Sequence, residues 1–216
     1  MSFQELVQSA QLHFPKLLIK YKNESLLMKI LGKIMFFNKD FMKSYTTTIG
    51  STIYYPNETF IKSRPVSSNT ILLHELVHIN DSKKITSLVY SFLYLFPQIL
   101  ILLFFPLLFV SWKVALLALL FAAPLPAYFR MNFEKRAYFT SLYVLNEYGK
   151  KLNFNPSLDK QKYDFVTQFK GSSYYWMWYF SGIEKDFDDA IEKIRNNERP
   201  FEDPIFDILD QLIANS

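Results

Sequence analysis

The chain has no cysteine, only five glycines and only three histidines among its 216 residues. Without cysteine there is no disulfide framework, no thiolate metal site and no cysteine nucleophile. The lack also fits a reducing compartment. The first residues, Met1-Ser2-Phe3-Gln4-Glu5-Leu6, have neither the basic start nor the apolar stretch of a secretory signal, so nothing here is expected to send the N-terminus across a membrane. Lysine and arginine number 24 against 20 aspartates and glutamates, a small surplus spread along the chain. It forms no basic stripe, and a nucleic-acid partner is not expected. There is no internal repeat and no low-complexity tail.

What the chain does have is apolar and aromatic. Half of its residues are hydrophobic, with 22 Phe and 14 Tyr, more than a soluble protein of ordinary composition carries. The length suits one medium domain with a real core, or two small ones. Residues 1–45 read as helices with mixed faces, because Leu6, Leu12, Leu17, Leu18, Leu26, Leu27, Ile30, Leu31 and Ile34 recur at helical spacing. The texture changes at Tyr45-Thr46-Thr47-Thr48-Ile49-Gly50-Ser51-Thr52-Ile53-Tyr54-Tyr55-Pro56, rich in β-branched and aromatic residues, which predicts one or two short strands. Ser67, Ser68 or Asn69 then caps a helix expected to begin near Thr70.

From Ile85 to Phe129 the only charged residue in 45 is Lys113. A spanning helix needs about 20 apolar residues. Residues 88–110 supply one such span and 114–129 a shorter one, with Ser111-Trp112-Lys113 as the turn and Pro97, Pro106, Pro124 and Pro126 as kinks. A buried core hairpin and a re-entrant or monotopic hairpin are the alternatives. Lys83 and Lys84 before the run, and Arg130, Lys135 and Arg136 after it, place both flanks on the cytoplasmic side by the positive-inside rule. A hairpin returns the chain to the side it left, so 1–84 and 130–216 can form one domain. Helices are expected again over Phe133–Tyr148, ending near Gly149, and around 160–170, 184–196 and 204–214. The cluster Tyr174-Tyr175-Trp176-Met177-Trp178-Tyr179-Phe180 suits either core packing or the headgroup level of a bilayer.

The chemistry concentrates in Ile71-Leu72-Leu73-His74-Glu75-Leu76-Val77-His78-Ile79, an H-E-x-x-H run on a predicted helix. Positions i and i+4 share a helix face, so both imidazoles can point at one ion. Glu75, beside the first histidine, reaches a water on that ion without binding the metal itself. The competing reading is a helix whose histidines only make hydrogen bonds. A catalytic zinc site needs a third protein ligand and an open position. His13, far upstream near Pro15, reads as a plain surface or helix-end residue, so a carboxylate must serve. The best placed follows the apolar run, in Asn132-Phe133-Glu134-Lys135-Arg136-Ala137-Tyr138.

On these two pieces the chain resembles the gluzincin metallopeptidases, and within them the membrane-embedded HtpX-like and CAAX-prenyl-protease-like group. There H-E-x-x-H is followed by membrane segments and then by a helix with an E-x-x-A-D pattern. The resemblance covers roughly residues 70–145. It implies Glu134 as third ligand and Ala137 as the small residue that lets two helices approach closely; Tyr138 stands where the pattern has Asp. It also implies that the Thr46–Tyr55 strand is an edge on which an extended peptide is laid. The resulting expectation is an α+β, mostly helical, minimal zincin-like metallopeptidase domain interrupted by a two-helix membrane hairpin. Residues 1–84 and 130–216 form its two parts, with 85–129 the hairpin. His74, His78 and Glu134 would hold Zn2+, with Glu75 as general base. The partners would be a peptide or membrane-protein substrate and the lipid bilayer.

Two further residues follow from helical geometry. Asp81 shares the face of His74 and His78 and either orients an imidazole or closes the helix in a polar turn. Tyr138, one turn after Glu134, either hydrogen-bonds an oxyanion and replaces the missing Asp, or packs in the core. The rival to an enzyme is a membrane-associated structural or interaction protein that keeps the scaffold without turnover.

Overall fold

The computed structural model describes residues 2–35 and 38–215; Met1, and residues 36 and 37 of the stretch read as helical, lie outside them. The chain is mostly helical with one small sheet. The first helix, α1 (Phe3–His13), starts on a capping box in which Ser2 and Glu5 satisfy each other's backbone N–H. It stops just before Phe14 and Pro15, and the chain then forms a strand, β1 (Leu18–Tyr21). This corrects the helical reading of Leu18: parallel pairing with a strand more than thirty residues away decides its conformation, and no local pattern carries that pairing. Helix α2 (Leu26–Ile34) follows, capped by Ser25.

The β-rich stretch divides into β2 (Thr47–Ile49) and β3 (Thr52–Tyr55) around Gly50, whose φ of +60° glycine adopts without strain. The sheet order is β1-β3-β2, with β1 parallel and β2 antiparallel to the central β3. β2 is therefore an edge. Helix α3 (Glu58–Ser63) leads to α4 (Pro65–Ile85), which starts five residues earlier than expected. No side chain caps it. Pro65 at its first position needs no N–H partner and has the helical φ built in.

The apolar run forms α5 (Ser87–Leu95), a 3-10 segment (Gln98–Leu103), α6 (Phe104–Leu107), α7 (Trp112–Ala118) and a second 3-10 turn (Leu119–Ala122). Among the described residues no single helix is long and apolar enough to cross a membrane, and the chain bends by 90° between Leu95 and Gln98. The two straight spans expected at 88–110 and 114–129 are thus a bent arm. Pro97 and Pro106 remove backbone donors inside the first, and Trp112 opens a helix instead of a turn. The arm then gives way to α8 (Tyr128–Leu152), longer at both ends than expected, α9 (Leu158–Lys170), α10 (Ile183–Arg195) and α11 (Ile205–Ala214).

One core joins the segments before and after the arm. Leu6, Leu17, Tyr55, Leu72 and Leu76 pack in the same cluster as Ala137, Val144, Phe206 and Leu209. A second cluster, including Leu142, Phe169, Phe187 and Ile191, fixes α9 and α10 against α8. The aromatic stretch at 174–180 is packed only in part: Met177 is buried, whereas Trp176, Tyr179 and Phe180 are exposed.

The basic residues flanking the arm are engaged within the protein. Arg130 is buried and donates to Tyr94 O, Tyr174 O and Gln98 Oε1. Lys83 lies over the Phe14 ring, Lys135 pairs with Asp186, and Arg136 and Lys84 share Asp81 and Asp203. Asp203 also accepts from Ile205 N, starting α11. Burial raises its pKa, and its bonds to Lys84, the Ile205 N–H and Arg136 outweigh this and hold it below the ordinary value. A depressed folded-state pKa means stability that is present above about pH 4 and lost as pH falls through the lower value. Asp203→Asn is therefore expected to cost about 1–3 kcal/mol at pH 7 and to flatten the acid limb of a stability–pH curve. Parallel curves for the two proteins would exclude this linkage.

Candidate metal centre

Helices α4 and α8 carry the site. On α4, His74 and His78 lie one turn apart with Glu75 beside them, and all three are buried. On α8, Glu134, Ala137, Tyr138 and Ser141 fall at i, i+3, i+4 and i+7, a single face, and all four are buried. Fully buried Ala137 adds no bulk between the polar residues on either side of it.

The two faces bring three ligand atoms, one each from His74, His78 and Glu134, within 4.8 Å of one another. His74 Nε2 is 3.7 Å from Glu134 Oε2, and His78 Nε2 is 3.5 Å from Oε1. Hydrogen bonding selects which imidazole nitrogens face inward. The Ser141 hydroxyl donates to Ala137 O at 3.1 Å, so at 3.0 Å from His74 Nδ1 it serves as acceptor. This puts the proton of a neutral His74 on Nδ1 and leaves the Nε2 lone pair for a cation. The Tyr90 hydroxyl lies 2.9 Å from Nδ1 of His78, so that nitrogen is engaged away from the centre and Nε2 is the one that faces Glu134. The Tyr94 hydroxyl donates to Glu134 Oε1 at 2.5 Å. Glu134 Oε2 is buried and accepts no hydrogen bond, an orphaned acceptor pointing at the same place.

The charges agree with this geometry. Burial alone would raise the Glu134 pKa, but the two imidazoles beside it hold it far below the usual carboxylate range. Burial opposes charge on His78, and the Glu134 carboxylate overrides this and pushes its pKa up to about 9. The centre is thus built to hold positive charge, and a divalent cation competes for the lone pairs those protons use. Two imidazole nitrogens and one carboxylate oxygen, buried and backed by hydroxyl partners, fit a metal ion.

Glu75 is gripped from the sheet. Thr48 of β2 donates its hydroxyl to Glu75 Oε2 at 2.7 Å. Lys22, just beyond β1, is also fully buried; its ammonium donates to Phe41 O at 2.7 Å and lies over the Phe41 ring. Burial brings its pKa down to about 7, against the pull of the Glu75 charge.

The other sequence-derived residues fall as follows. Asp81 is committed to Arg136 and Lys84, so it ties helices together while Ser141 and Tyr90 orient the imidazoles. The Tyr138 ring packs edge-on to His74 with centroids 4.8 Å apart, while its hydroxyl bonds Gln168 Oε1 and the Tyr174 hydroxyl, both at 2.7 Å. An oxyanion role would require those bonds to break. His13 is exposed. Sequence reasoning missed Thr48, Tyr90, Tyr94, Ser141 and Lys22. Three of these had a visible signal: Tyr90 and Tyr94 are phenol hydroxyls four residues apart in a largely apolar run, and helical spacing puts Ser141 on the Glu134 face.

Removing the Ser141 hydroxyl leaves His74 free to turn its ring. Ser141→Ala is expected to weaken metal binding about 10–100-fold with the fold intact, measured by competition with a chromogenic chelator. An unchanged affinity would deny Ser141 the orienting role.

The fold and site together define a mostly helical α+β protein with a buried His-His-Glu group able to hold a metal ion. Compared with known protein families, curated proteins and solved structures, the chain finds no match in any of the three.

Proposed function

We propose that the protein is a membrane-associated zinc metallopeptidase. The observation that carries this reading is the convergence of one ligand atom each from His74, His78 and Glu134, with Glu75 next to His74 on the same helix and held by Thr48. When bound, zinc polarises a substrate carbonyl and lowers the pKa of a water. Glu75 would be the group that accepts a proton from the attacking water and passes it to the leaving amine. The Thr48 hydroxyl on Oε2 fixes the orientation of the Glu75 carboxylate. β2, as an edge strand, offers free backbone groups to an extended peptide. In this reading the helical core with its three-stranded sheet is a minimal zincin-like domain.

Membrane association rests on the exposed apolar arm. Leu88, Phe109 and Val110 are 83%, 94% and 75% exposed, and α5, the first 3-10 segment and α6 bury none of their residues. A patch of this size on a monomer marks an interaction surface. The expected form is monotopic, with the arm lying in one leaflet. Placement on the cytoplasmic side rests on the basic flanks of 85–129 alone.

The burial of all four central residues favours a second reading, a scaffold that holds metal without turnover. Metal content and peptide cleavage, measured together on purified protein, separate the two. One zinc per chain, lost in His78→Ala, with cleavage of an unstructured peptide supports the enzyme. One zinc with no cleavage of any peptide supports the scaffold, and no zinc after reconstitution overturns both. The arm is expected to hold the protein on membranes through a high-salt wash; release by salt alone would count against insertion.

A further inference from the structure

The centre is closed. His74, Glu75 and His78 are each 7% exposed and Glu134 is 2% exposed, so a peptide carbonyl reaches them only after something moves. The element over them is α5. Its inward positions Tyr90, Leu93 and Tyr94, continued by Pro97, fall at i, i+3, i+4 and i+7. Tyr90 bonds His78 and Tyr94 bonds Glu134. The rings of both tyrosines lie against His78, and that of Tyr90 lies against Phe133. The outward positions Leu88, Val89, Phe92 and Leu95 are exposed and apolar. α5 joins α4 through a single residue, Thr86, at a φ of +70° that side chains rarely adopt.

We propose that α5 is a lid over the metal centre, latched by Tyr90 and Tyr94, and that entry of its outer face into a lipid leaflet draws it off. This rests on the metal-centre and membrane readings above and adds a regulation to them. A lipid leaflet is the occupant that fits. The face continues into an arm whose only charge over 45 residues is Lys113. The exposed aromatic residues Trp112, Tyr128, Trp176 and Tyr179 belong to the types that settle at headgroup level. Inside the protein the tyrosines find polar partners; outside it, the aliphatic face finds none but lipid. The two faces of one helix therefore favour different places, and the bilayer shifts the balance between them.

The absence of native cysteine makes a direct test simple. Nitroxide labels on Ser91→Cys, on the outer side of α5, and Lys150→Cys, at the exposed end of α8, report the distance between the two helices without metal or substrate. The expected result is a shift of roughly one helical turn, about 5 Å, on adding phosphatidylcholine vesicles. The same shift is expected without vesicles when Tyr90→Phe and Tyr94→Phe remove the latch. Charging the outer face with Val89→Glu and Phe92→Glu is expected to preserve sedimentation with vesicles, through α6 and α7, while abolishing the shift. Vesicle binding with an unchanged distance overturns the lid and leaves the membrane reading intact. Failure to sediment with vesicles overturns both. A shift that survives Val89→Glu and Phe92→Glu overturns the role of the outer face. A full shift in protein that binds no zinc separates the lid from the metal-centre reading, which would then fail alone.

Discussion

Replacing Glu134 with alanine is expected to abolish stoichiometric metal binding, lowering affinity by more than about 100-fold. Loss of an outer partner of a metal ligand costs 10–100-fold, and this change removes a ligand outright. The site offers no substitute: Asp81, the other buried acid close in sequence to the histidines, is held by Arg136 and Lys84, and Glu75 is held by Thr48. The carboxylate also anchors the Tyr94 hydroxyl, so its removal leaves a half-buried hydroxyl without its acceptor, and a drop in thermal stability of the metal-free protein should accompany the loss. Glu134→Gln keeps the shape, removes the charge and should fall between the two. Metal analysis after dialysis, with near-ultraviolet circular dichroism to verify packing, decides the matter. One metal per chain in a folded Glu134→Ala protein would remove Glu134 from the ligand set.

Glu75→Gln is expected to act in the opposite sense, keeping the metal and losing turnover. A positioned general base contributes about 10²–10⁴-fold, or roughly 3–5 kcal/mol of transition-state stabilisation. The amide fills the same space and still accepts from Thr48 through its oxygen, so metal affinity and folding should change little. The loss should fall on kcat, with KM nearly unchanged, because in the peptidase reading Glu75 acts on the water and not on the peptide. A variant that cleaves like the wild type would sink the peptidase reading, and a variant that loses metal as well would make Glu75 a structural part of the site. The contrast with Glu134→Ala is useful: one substitution separates binding from chemistry, the other removes both.

Much of the site could be read along the chain because its geometry is local. His74, Glu75 and His78 lie within five residues, and the 3.6-residue helical period alone puts the two imidazoles on one face. The same period finds the helices around 160–170, 184–196 and 204–214 and sets Tyr138 one turn after Glu134. It says nothing of where a hydroxyl is directed, and Tyr138 turns its hydroxyl to Gln168 and Tyr174 while its ring meets His74. The strand at Leu18–Tyr21 was hidden for a related reason, since its partner is β3.

The sequence by itself determined the His-Glu-x-x-His spacing on one helix, the long nearly uncharged run and the absence of thiol chemistry. Each is a property of neighbouring residues or of composition. Tertiary structure decided which groups complete the centre. Thr48 meets Glu75 across 27 positions, Tyr94 meets Glu134 across 40, and Ser141 meets His74 across 67. It also decided that the apolar run bends back over the site instead of continuing as two straight helices. Contacts of such separation depend on how whole helices pack, and that packing is set by the shared core of both halves of the chain.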